Sequence, residues 1–437
     1  MIATLIISIT TILLLVMVII FKPTITVCKK EIQTFWIVPM LGVIALFICN
    51  LVSFNEVKIM LFKDTAINPV KILILFLSIS FLSIVLDELG FFKKCAEFAT
   101  KFTKGSQYKL FLSISIVVSI LTIFTSNDIV ILTFTPFICY FSKHAKINPI
   151  PYLIGEFVFA NTWSMILVIG NPTNIYLAES FNIPFLEYFE TMVFPTVMAG
   201  ITAFILLIVL FKKDLSRKIE EYEVKHTILK SKTLSILGIE HLALCTILLA
   251  VSSYVGIEMW LITAIFALSM IIILVIYYIR NKSKILFNSL KRISWNLIPF
   301  IISMFVMVSA LTKYNIIGMV SEIINRFAST KGLTIVTYGS SAFLSCNILN
   351  NIPMSVMFER IIAFSNQMYL DESIYSTIIA SNIGAYLTPI GALAGIMWMS
   401  ILKKSGVKFN FRDFVIKGIL ISPLILFISL FSLYLVI

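Results

Sequence analysis

The residue with the clearest chemical potential is an acidic side chain inside an apolar run. Asp128 follows Thr125, Ser126 and Asn127 within the mostly apolar stretch 108–142. A carboxylate at the middle of a membrane helix costs about 2.5–3.5 kcal/mol on insertion scales, so it needs a partner or a function. Aspartate is also a good N-cap, and capping the next half-helix is compatible with a functional role. We expect Asp128 to take part in binding a proton or a substrate.

Amide and hydroxyl side chains recur where other apolar runs are interrupted. Helix ends leave backbone N–H and C=O groups without intrahelical partners, and such side chains either cap those groups or bind a ligand. As a cluster they predict a polar cavity, whereas each one alone is equally well explained as a cap. The candidate substrate- or ion-binding residues are Ser126, Asn127, Asp128, Asn161, Thr162, Gly170, Asn171, Thr173, Asn174, Asn350, Asn351, Ser381, Asn382 and Thr388.

Two of these interruptions combine glycine with proline. They are the run 170–174, with sequence GNPTN, and the run 387–391, with sequence LTPIG. Proline cannot continue the hydrogen-bond ladder of a helix, and glycine tolerates the irregular backbone that results. A proline kink without a transport role is common in membrane helices, but two breaks in corresponding positions favour a functional site.

Other ionisable residues lie in or near apolar runs. Glu156 lies inside the run that precedes the first break and is a second candidate for a buried acid. The remaining residues lie near the ends of predicted spans, where we expect ion pairs or side chains that reach the membrane surface. They are Asp87, Glu88, Glu240, His241, Glu258, Glu359 and Arg360.

The composition indicates what positions these side chains. Of the 437 residues, 59% are hydrophobic and 13% are charged, and the mean hydropathy is +1.02. A soluble globular chain has about 45–50% apolar and about 25% charged residues, so a soluble fold is excluded. The apolar runs are long enough to cross a bilayer as helices, whereas membrane strands are about half as long and alternate. We predict an all-α integral membrane protein.

Several function classes lack a sequence signature. The chain contains no GxxxxGK[ST] run for a nucleotide and no HExxH pair for a metalloprotease, and its six cysteines show no CxxC spacing. We therefore predict no metal site, no cofactor and no enzymatic activity. The net charge of +12 comes from lysines spread over short loops, so we predict no nucleic-acid partner.

The basic loops predict the topology, because positive residues favour the cytoplasmic side. With these loops inside, both termini lie outside, and the chain has about ten spans plus two re-entrant hairpins. A hairpin is needed because 108–142 has basic residues on both flanks and a polar tip. The basic clusters lie at 29–30, 93–104, 143–146, 282–292 and 403–412.

The order of elements repeats along the chain, which predicts an inverted-repeat secondary transporter. Residues 1–211 form the first inverted repeat, with three spans, hairpin 108–142, broken span 150–178 and span 190–211. Residues 212–235 form a cytoplasmic linker. Residues 236–437 form the second repeat, with three spans, hairpin 333–366, broken span 374–402 and span 413–437.

The motifs at these positions resemble a known family, the arsenite-efflux permeases of the ion transporter superfamily. The fit in order and spacing extends over most of the chain. Ile129 and Pro172 depart from the usual permease pattern. The motifs that carry the resemblance are Asn127-Asp128 with Thr135-Pro136, Ala160-Asn161-Thr162 with Gly170-Asn171 and Asn174, Asn350-Asn351-Ile352-Pro353, and Asn382-Ile383-Gly384 with 387–394 and Trp398.

The resemblance implies a multi-pass transporter of the inner (plasma) membrane that exports arsenite and antimonite in exchange for protons. Relatives on the same scaffold are sodium/proton antiporters and sodium-coupled citrate or dicarboxylate carriers, and these remain alternatives. The dicarboxylate branch has a hydroxyl residue where Asp128 stands, and a carboxylate there would repel a dianion. The implied partners are membrane lipid, a small-molecule or ion substrate and a proton or sodium ion. The sequence leaves open a homodimer and a soluble ATPase subunit.

Overall fold

The computed structural model describes residues 1–22, 24–27, 30–62, 68–101, 105–219 and 228–437. Within these ranges, nine helical segments are long and apolar enough to cross a membrane. The prediction of an all-α integral membrane protein is confirmed, with one small addition: strands β1 (Thr24–Val27) and β2 (Lys30–Gln33) pair as an antiparallel ribbon. The basic residues Lys29 and Lys104 and part of the predicted linker, 220–227, lie outside the described residues.

Eleven helices precede residue 220 in the described part of the chain. Residues Val168–Gly170 form a short 3-10 turn between α8 and α9. The helices are α1 (Ile2–Phe21), α2 (Ile37–Ile48), α3 (Phe54–Phe62), α4 (Pro69–Glu88), α5 (Phe91–Lys101), α6 (Gln107–Phe124), α7 (Asn127–His144), α8 (Ile150–Trp163), α9 (Pro172–Ser180), α10 (Phe185–Leu210) and α11 (Lys212–Leu215).

Ten helices follow residue 228 in the described part of the chain. Residues Gly384–Tyr386 form a 3-10 turn between α19 and α20, as Val168–Gly170 do between α8 and α9. The helices are α12 (Lys232–Val255), α13 (Met259–Asn281), α14 (Ile285–Arg292), α15 (Leu297–Lys313), α16 (Ile316–Phe327), α17 (Lys331–Leu349), α18 (Asn351–Ala363), α19 (Leu370–Ile383), α20 (Leu393–Lys404) and α21 (Phe411–Val436).

Polar residues at the ends of the apolar runs define where several helices begin. The Ser231 side chain accepts a hydrogen bond from the backbone N–H of Leu234 at the start of α12. Asn410 and Asp413 form a reciprocal capping box at the start of α21. These side chains satisfy N–H groups that have no partner inside the helix, so they fix the first turn.

Five short helices were not predicted, namely α3, α5, α11, α14 and α16. They are too short and too polar to cross a membrane, and so they gave no signal as spans. Each nevertheless packs beside a longer helix. In α16 the buried residues are Ile317, Ser321 and Ile324, which share one helix face.

Each hairpin, α6–α7 or α17–α18, contacts both of the interrupted helices, an arrangement that we call exchanged packing. We call α8, its 3-10 turn and α9 the first broken helix, and α19, its turn and α20 the second. The first helix of each hairpin packs on the first segment of the nearer broken helix, as α6 does on α8 and α17 on α19. The second helix of each hairpin packs on the last segment of the other broken helix, as α7 does on α20 and α18 on α9.

Most of the ion pairs expected at span ends are present. Arg292 contacts both Asp87 and Glu88, and Lys230 contacts Glu88. On α4, Lys71 Nζ lies 2.7 Å from Glu258 Oε2. These pairs join α4 to the start of α13, to the end of α14 and to the segment before α12. They therefore connect the residues before the predicted linker to those after it.

Glu359 departs from the expectation for span ends. Its partner is Arg360, as expected, but its side chain is only 1% exposed and does not reach the membrane surface. The reason is that α18 is covered by α9, α15, α16, α17 and α19. Glu359 is therefore a buried acid, and its expected position at the membrane surface was wrong.

Candidate functional site

The centre of the molecule contains a hydrogen-bonded group that joins the two broken helices. Asn382 Oδ1 accepts hydrogen bonds from Ser164 Oγ at 2.9 Å and from Asn171 Nδ2 at 2.7 Å. Asn382 Nδ2 donates to Asn174 Oδ1 at 2.7 Å. All four side chains are buried. We call Ser164, Asn171, Asn174 and Asn382 the central asparagine cluster.

The break in the first broken helix explains why asparagines are needed there. Asn171 caps α9 and accepts from the backbone N–H of Thr173 at 3.3 Å. Asn174 Nδ2 donates to the backbone carbonyl oxygens of Ser164 at 2.8 Å and Leu167 at 3.3 Å. The break removes the α-helical partners of these carbonyls, and although Leu167 still accepts from the backbone N–H of Gly170 at 3.1 Å, the Asn174 amide supplies a hydrogen bond to each where water is scarce.

Two further hydroxyl pairs connect the broken helices beside this cluster. Thr173 Oγ1 lies 2.9 Å from Ser381 Oγ. Thr162 Oγ1 lies 3.4 Å from the hydroxyl of Tyr386. Either hydroxyl of each pair can be the donor. These pairs can therefore exchange donor and acceptor roles as a bound group changes.

The tip of the first hairpin forms a second polar region. Asn127 Nδ2 donates to Asn161 Oδ1 at 2.9 Å, and Asn127 Oδ1 accepts from the backbone N–H of Asp128 at 2.9 Å. The hydroxyl of Ser126 is buried and has no hydrogen-bond partner among the described residues. A buried hydroxyl without a partner is costly, so it marks a place where a ligand can bind.

Asp128 faces a cavity of about 220 Å³ rather than the asparagine pair. We call it the Asp128 cavity; its polar lining residues besides Asp128 are Gln33, Ser294 and Ser400. The remaining wall comes from apolar residues, half of which lie on α20. Asp128 is the one charged residue among the described residues that line the cavity, so the local field favours a proton, a cation or a neutral guest over an anion.

The tip of the second hairpin is bonded to the second break. Asn350 has a φ of 76° and a ψ of 155°, a strained backbone conformation that residues other than glycine rarely adopt. Its Nδ2 donates to the carbonyl oxygen of Ile390 at 2.9 Å. The backbone N–H of Asn351 donates to the carbonyl oxygen of Gly391 at 3.0 Å. Asn347 Oδ1 accepts from the hydroxyl of Thr388 at 2.8 Å.

The predicted site residues therefore fall into three neighbouring groups. Asn171, Thr173, Asn174, Ser381 and Asn382 meet between the broken helices, together with Gly170 at the turn and the Thr162–Tyr386 pair. Ser126, Asn127, Asp128 and Asn161 lie at the first hairpin tip, and Asn350, Asn351 and Thr388 lie at the second. Asn127 and Asn351 do not line the Asp128 cavity.

Three participants were missed by the sequence reasoning. Ser164 stands three residues after Asn161, and Asn347 stands three residues before Asn350, so helical spacing from a predicted residue could have found both. Tyr386 stands four residues after Asn382, so the same spacing marks it, but its contact with Thr162 depends on packing between distant parts of the chain.

Glu156, the second candidate acid, lies on α8 and is buried against α7. The Thr135 hydroxyl oxygen lies 2.9 and 3.1 Å from its two carboxylate oxygens. Glu156 does not line the Asp128 cavity. Among the described residues, no group of three or more His, Cys, Asp and Glu side chains is arranged to hold a metal ion.

Comparison with known proteins identifies the family. The arsenical pump membrane protein family matches residues 7–437. This chain belongs to that family. A relative named arsenical pump membrane protein from Escherichia coli is 26% identical over 370 residues, covering 82% of this chain and 84% of the relative. A putative arsenical pump membrane protein from Bacillus subtilis is 24% identical over 423 residues, covering 90% and 92%.

A solved structure shows the same fold. The YdaH transporter of Alcanivorax borkumensis aligns with a TM-score of 0.58 at 12% sequence identity, covering 99% of this chain and 98% of that chain. The family and the candidate spans together show a multi-pass membrane transporter of the cell membrane, not an enzyme.

Gly170 offers a direct test of the first break. A Cβ atom added there would lie 2.3 Å from the carbonyl oxygen of Ser164, which accepts a hydrogen bond from Asn174. We expect Gly170→Ala to displace this carbonyl, to cost about 1–3 kcal/mol of stability and to reduce transport severely. Thermal denaturation of purified protein and substrate efflux measure both effects.

The matched control is Gly332→Ala. Its added Cβ would lie 3.5 Å from the Tyr434 ring, an ordinary contact. The control should retain both stability and transport. Unchanged efflux in Gly170→Ala would show that the backbone at the break tolerates displacement, contrary to our interpretation.

Proposed function

We propose that this transporter exports arsenite and antimonite in exchange for protons. The observation that carries the proposal is Asp128, which lies at a hairpin tip and faces a cavity without a basic lining residue among those described. The relatives of this chain that are named as arsenical pumps support arsenite and antimonite as the substrates.

The polar groups suit a neutral substrate. Arsenous acid is mostly an uncharged trihydroxide near neutral pH, so it offers hydroxyl donors and oxygen acceptors but no net charge. Amides and hydroxyls supply both hydrogen-bonding roles. The unpartnered Ser126 hydroxyl and the exchangeable Thr173–Ser381 pair are groups that could turn toward such a guest. We place substrate binding at the hairpin tip and the central asparagine cluster.

The coupling proposal rests on the asymmetry of the two hairpin tips. Asp128 lies in the first turn of α7, which begins at Asn127, whereas the first turn of α18, which begins at Asn351, contains no acidic residue. Only one tip can therefore gain and lose a proton. None of the described residues donates a hydrogen bond to the Asp128 carboxylate, so a proton and the substrate can compete for this region.

The arrangement also supports the proposed division into two inverted repeats, 1–211 and 236–437, joined by the linker 212–235. The exchanged packing of α7 on α20 and of α18 on α9 is what a two-fold relation in the membrane plane would produce. In this proposal the broken helices meet at the centre, and the two repeats move relative to each other to expose it alternately.

The test uses a strain that lacks its own arsenite exporter and any soluble arsenite-dependent ATPase. Expression should lower cellular arsenite and antimonite, and a protonophore should abolish the effect. A sodium gradient alone should not drive efflux. Unchanged arsenite accumulation with increased sodium tolerance would favour sodium/proton exchange on this scaffold and would contradict the proposal.

A further inference from the structure

One face of α9 carries polar side chains from the centre of the molecule to its end. Thr173, Tyr176 and Ser180 are spaced three and four residues apart, so they share a helix face. Glu179 stands beside Ser180 in the last turn. The helix begins at Asn171 of the central asparagine cluster. The proposed exchange at Asp128 makes no use of this row of residues.

The middle of the row contains a buried acid. The Tyr176 hydroxyl donates to Glu359 Oε2 at 3.2 Å, across the contact between α9 and α18. The side chains of Tyr176 and Glu359 are 4% and 1% exposed. Arg360 Nε lies 3.0 Å from the same carboxylate. Among the described residues of the helices packed on α18, the titratable side chain that contacts Glu359 is Tyr176 of α9. Its charged partner Arg360 lies on α18 itself.

The outer end of the row is also buried but leads to the surface. Glu179 Oε1 and the Ser180 hydroxyl are buried without a hydrogen-bond partner among the described residues. The charged residues that act on Glu179 are Glu258 and Lys71. Those two form an ion pair, and the Glu258 side chain is 55% exposed. Unpartnered buried oxygens beside an exposed ion pair indicate a polar path that water or a proton can occupy.

We propose that Glu179, Tyr176 and Glu359 form the proton route between the central asparagine cluster and the side of the membrane opposite to the Asp128 cavity. The loop topology assigns this side to the exterior. The inference rests on the proposed proton exchange and names its second half: protons enter along α9 and leave through the Asp128 cavity.

The transfer changes only O–H bonds. Glu179 takes a proton from external water and passes it, directly or through water, to the Tyr176 oxygen. Tyr176 gives its own proton to the Glu359 carboxylate as it accepts the new one, so its charge is unchanged. Glu359 then releases the proton toward the centre and returns to the carboxylate form that pairs with Arg360.

The competing explanation is structural. Under this explanation, the contacts of Glu359 with Arg360 and Tyr176 serve only to fix α18 to α9, as a buried ion pair can do. The two explanations differ in what the substitution Glu359→Gln alters. Loss of a proton route removes gradient-driven transport and its dependence on external pH, whereas loss of a structural contact lowers stability and all modes of transport together.

The experiment uses purified full-length protein in liposomes with arsenite as the probe. Arsenite movement is measured under an imposed pH gradient at several external pH values, and also as exchange of labelled arsenite without a gradient. We expect Glu359→Gln and Tyr176→Phe to reduce gradient-driven transport at least tenfold, with a flattened pH profile, and to retain exchange. Tyr176→Phe removes a single hydroxyl, so it provides the answer if Glu359→Gln does not fold.

Glu372→Gln is the matched control, because Glu372 is a buried acid at the start of α19 and is not part of the row. It should transport within about twofold of wild type, a difference of about 0.4 kcal/mol. Wild-type pH profiles in both test variants, or equal loss of driven transport and exchange, would overturn the route. If the wild type itself shows no response to the pH gradient, the proposed proton exchange fails, and that failure is separate from the first.

Discussion

Efflux by the Asp128→Asn variant is expected to lose its response to the proton gradient while exchange of bound substrate survives. Asparagine keeps the size and hydrogen-bonding capacity of the side chain but cannot titrate. One charge moved across 100 mV contributes about 2.3 kcal/mol, enough for roughly fiftyfold concentration of a coupled solute. A cell with the variant should therefore accumulate arsenite to the level of a cell without the transporter.

The measurement compares arsenite efflux against pH in wild type, in Asp128→Asn and in the control Asp371→Asn. Asp371 is an exposed acid in the first turn of α19, remote in sequence from the hairpin tips. The control should match the wild type. If Asp128→Asn shows wild-type rates with an unchanged pH dependence, Asp128 does not couple transport to protons, and Glu156 becomes the next acid to substitute.

The second large effect is expected from Asn382→Ala. This change removes the acceptor of Asn171 and the donor to Asn174 in a buried place. Each polar group left unsatisfied costs about 1–3 kcal/mol, so the two together cost about 2–6 kcal/mol. We expect a marked fall in melting temperature and loss of efflux, measured on purified protein and in cells respectively.

Asn366→Ala provides the control for this substitution. Asn366 is exposed and accepts one hydrogen bond, from the backbone N–H of Met368 at 3.0 Å. Its loss removes only a cap at a short turn and should cost less than about 2 kcal/mol. Equal melting temperatures for Asn382→Ala and wild type would contradict the view that the central asparagine cluster joins the two broken helices.

The long helices could be predicted because each needs a continuous apolar run, which is a local property of the chain. The apolar run from Phe35 to Val52 is not a single helix in the structure, where α2 covers Ile37–Ile48 and α3 follows after a turn. A window of apolar residues includes the turn residues near Asn50, whose φ is 53°. Turn geometry of this kind is decided residue by residue, so hydropathy does not show it.

The candidate residues could be predicted more readily than their partners. Asparagines at breaks in apolar runs are visible in the sequence, and the structure buries them at the centre. Their pairing was not visible: Asn127 bonds to Asn161, which is 34 residues away, whereas Asn171 bonds to Asn382, 211 residues away. Such choices depend on how distant helices pack, and a single sequence contains no signal for that.

The exchanged packing of the hairpins has a consequence for biosynthesis. Tyr176 on α9 meets its partner Glu359 on α18 across 183 residues of chain, and Asn382 arrives later still. During synthesis, α9 is made before α18 and α19, so its polar face has no partner in the membrane at that stage. Contacts between such distant residues form slowly, and an unfinished chain exposes surfaces that invite misassembly. The N-terminal portion alone is therefore not expected to be a stable unit, and co-expressed fragments should accumulate only as a pair.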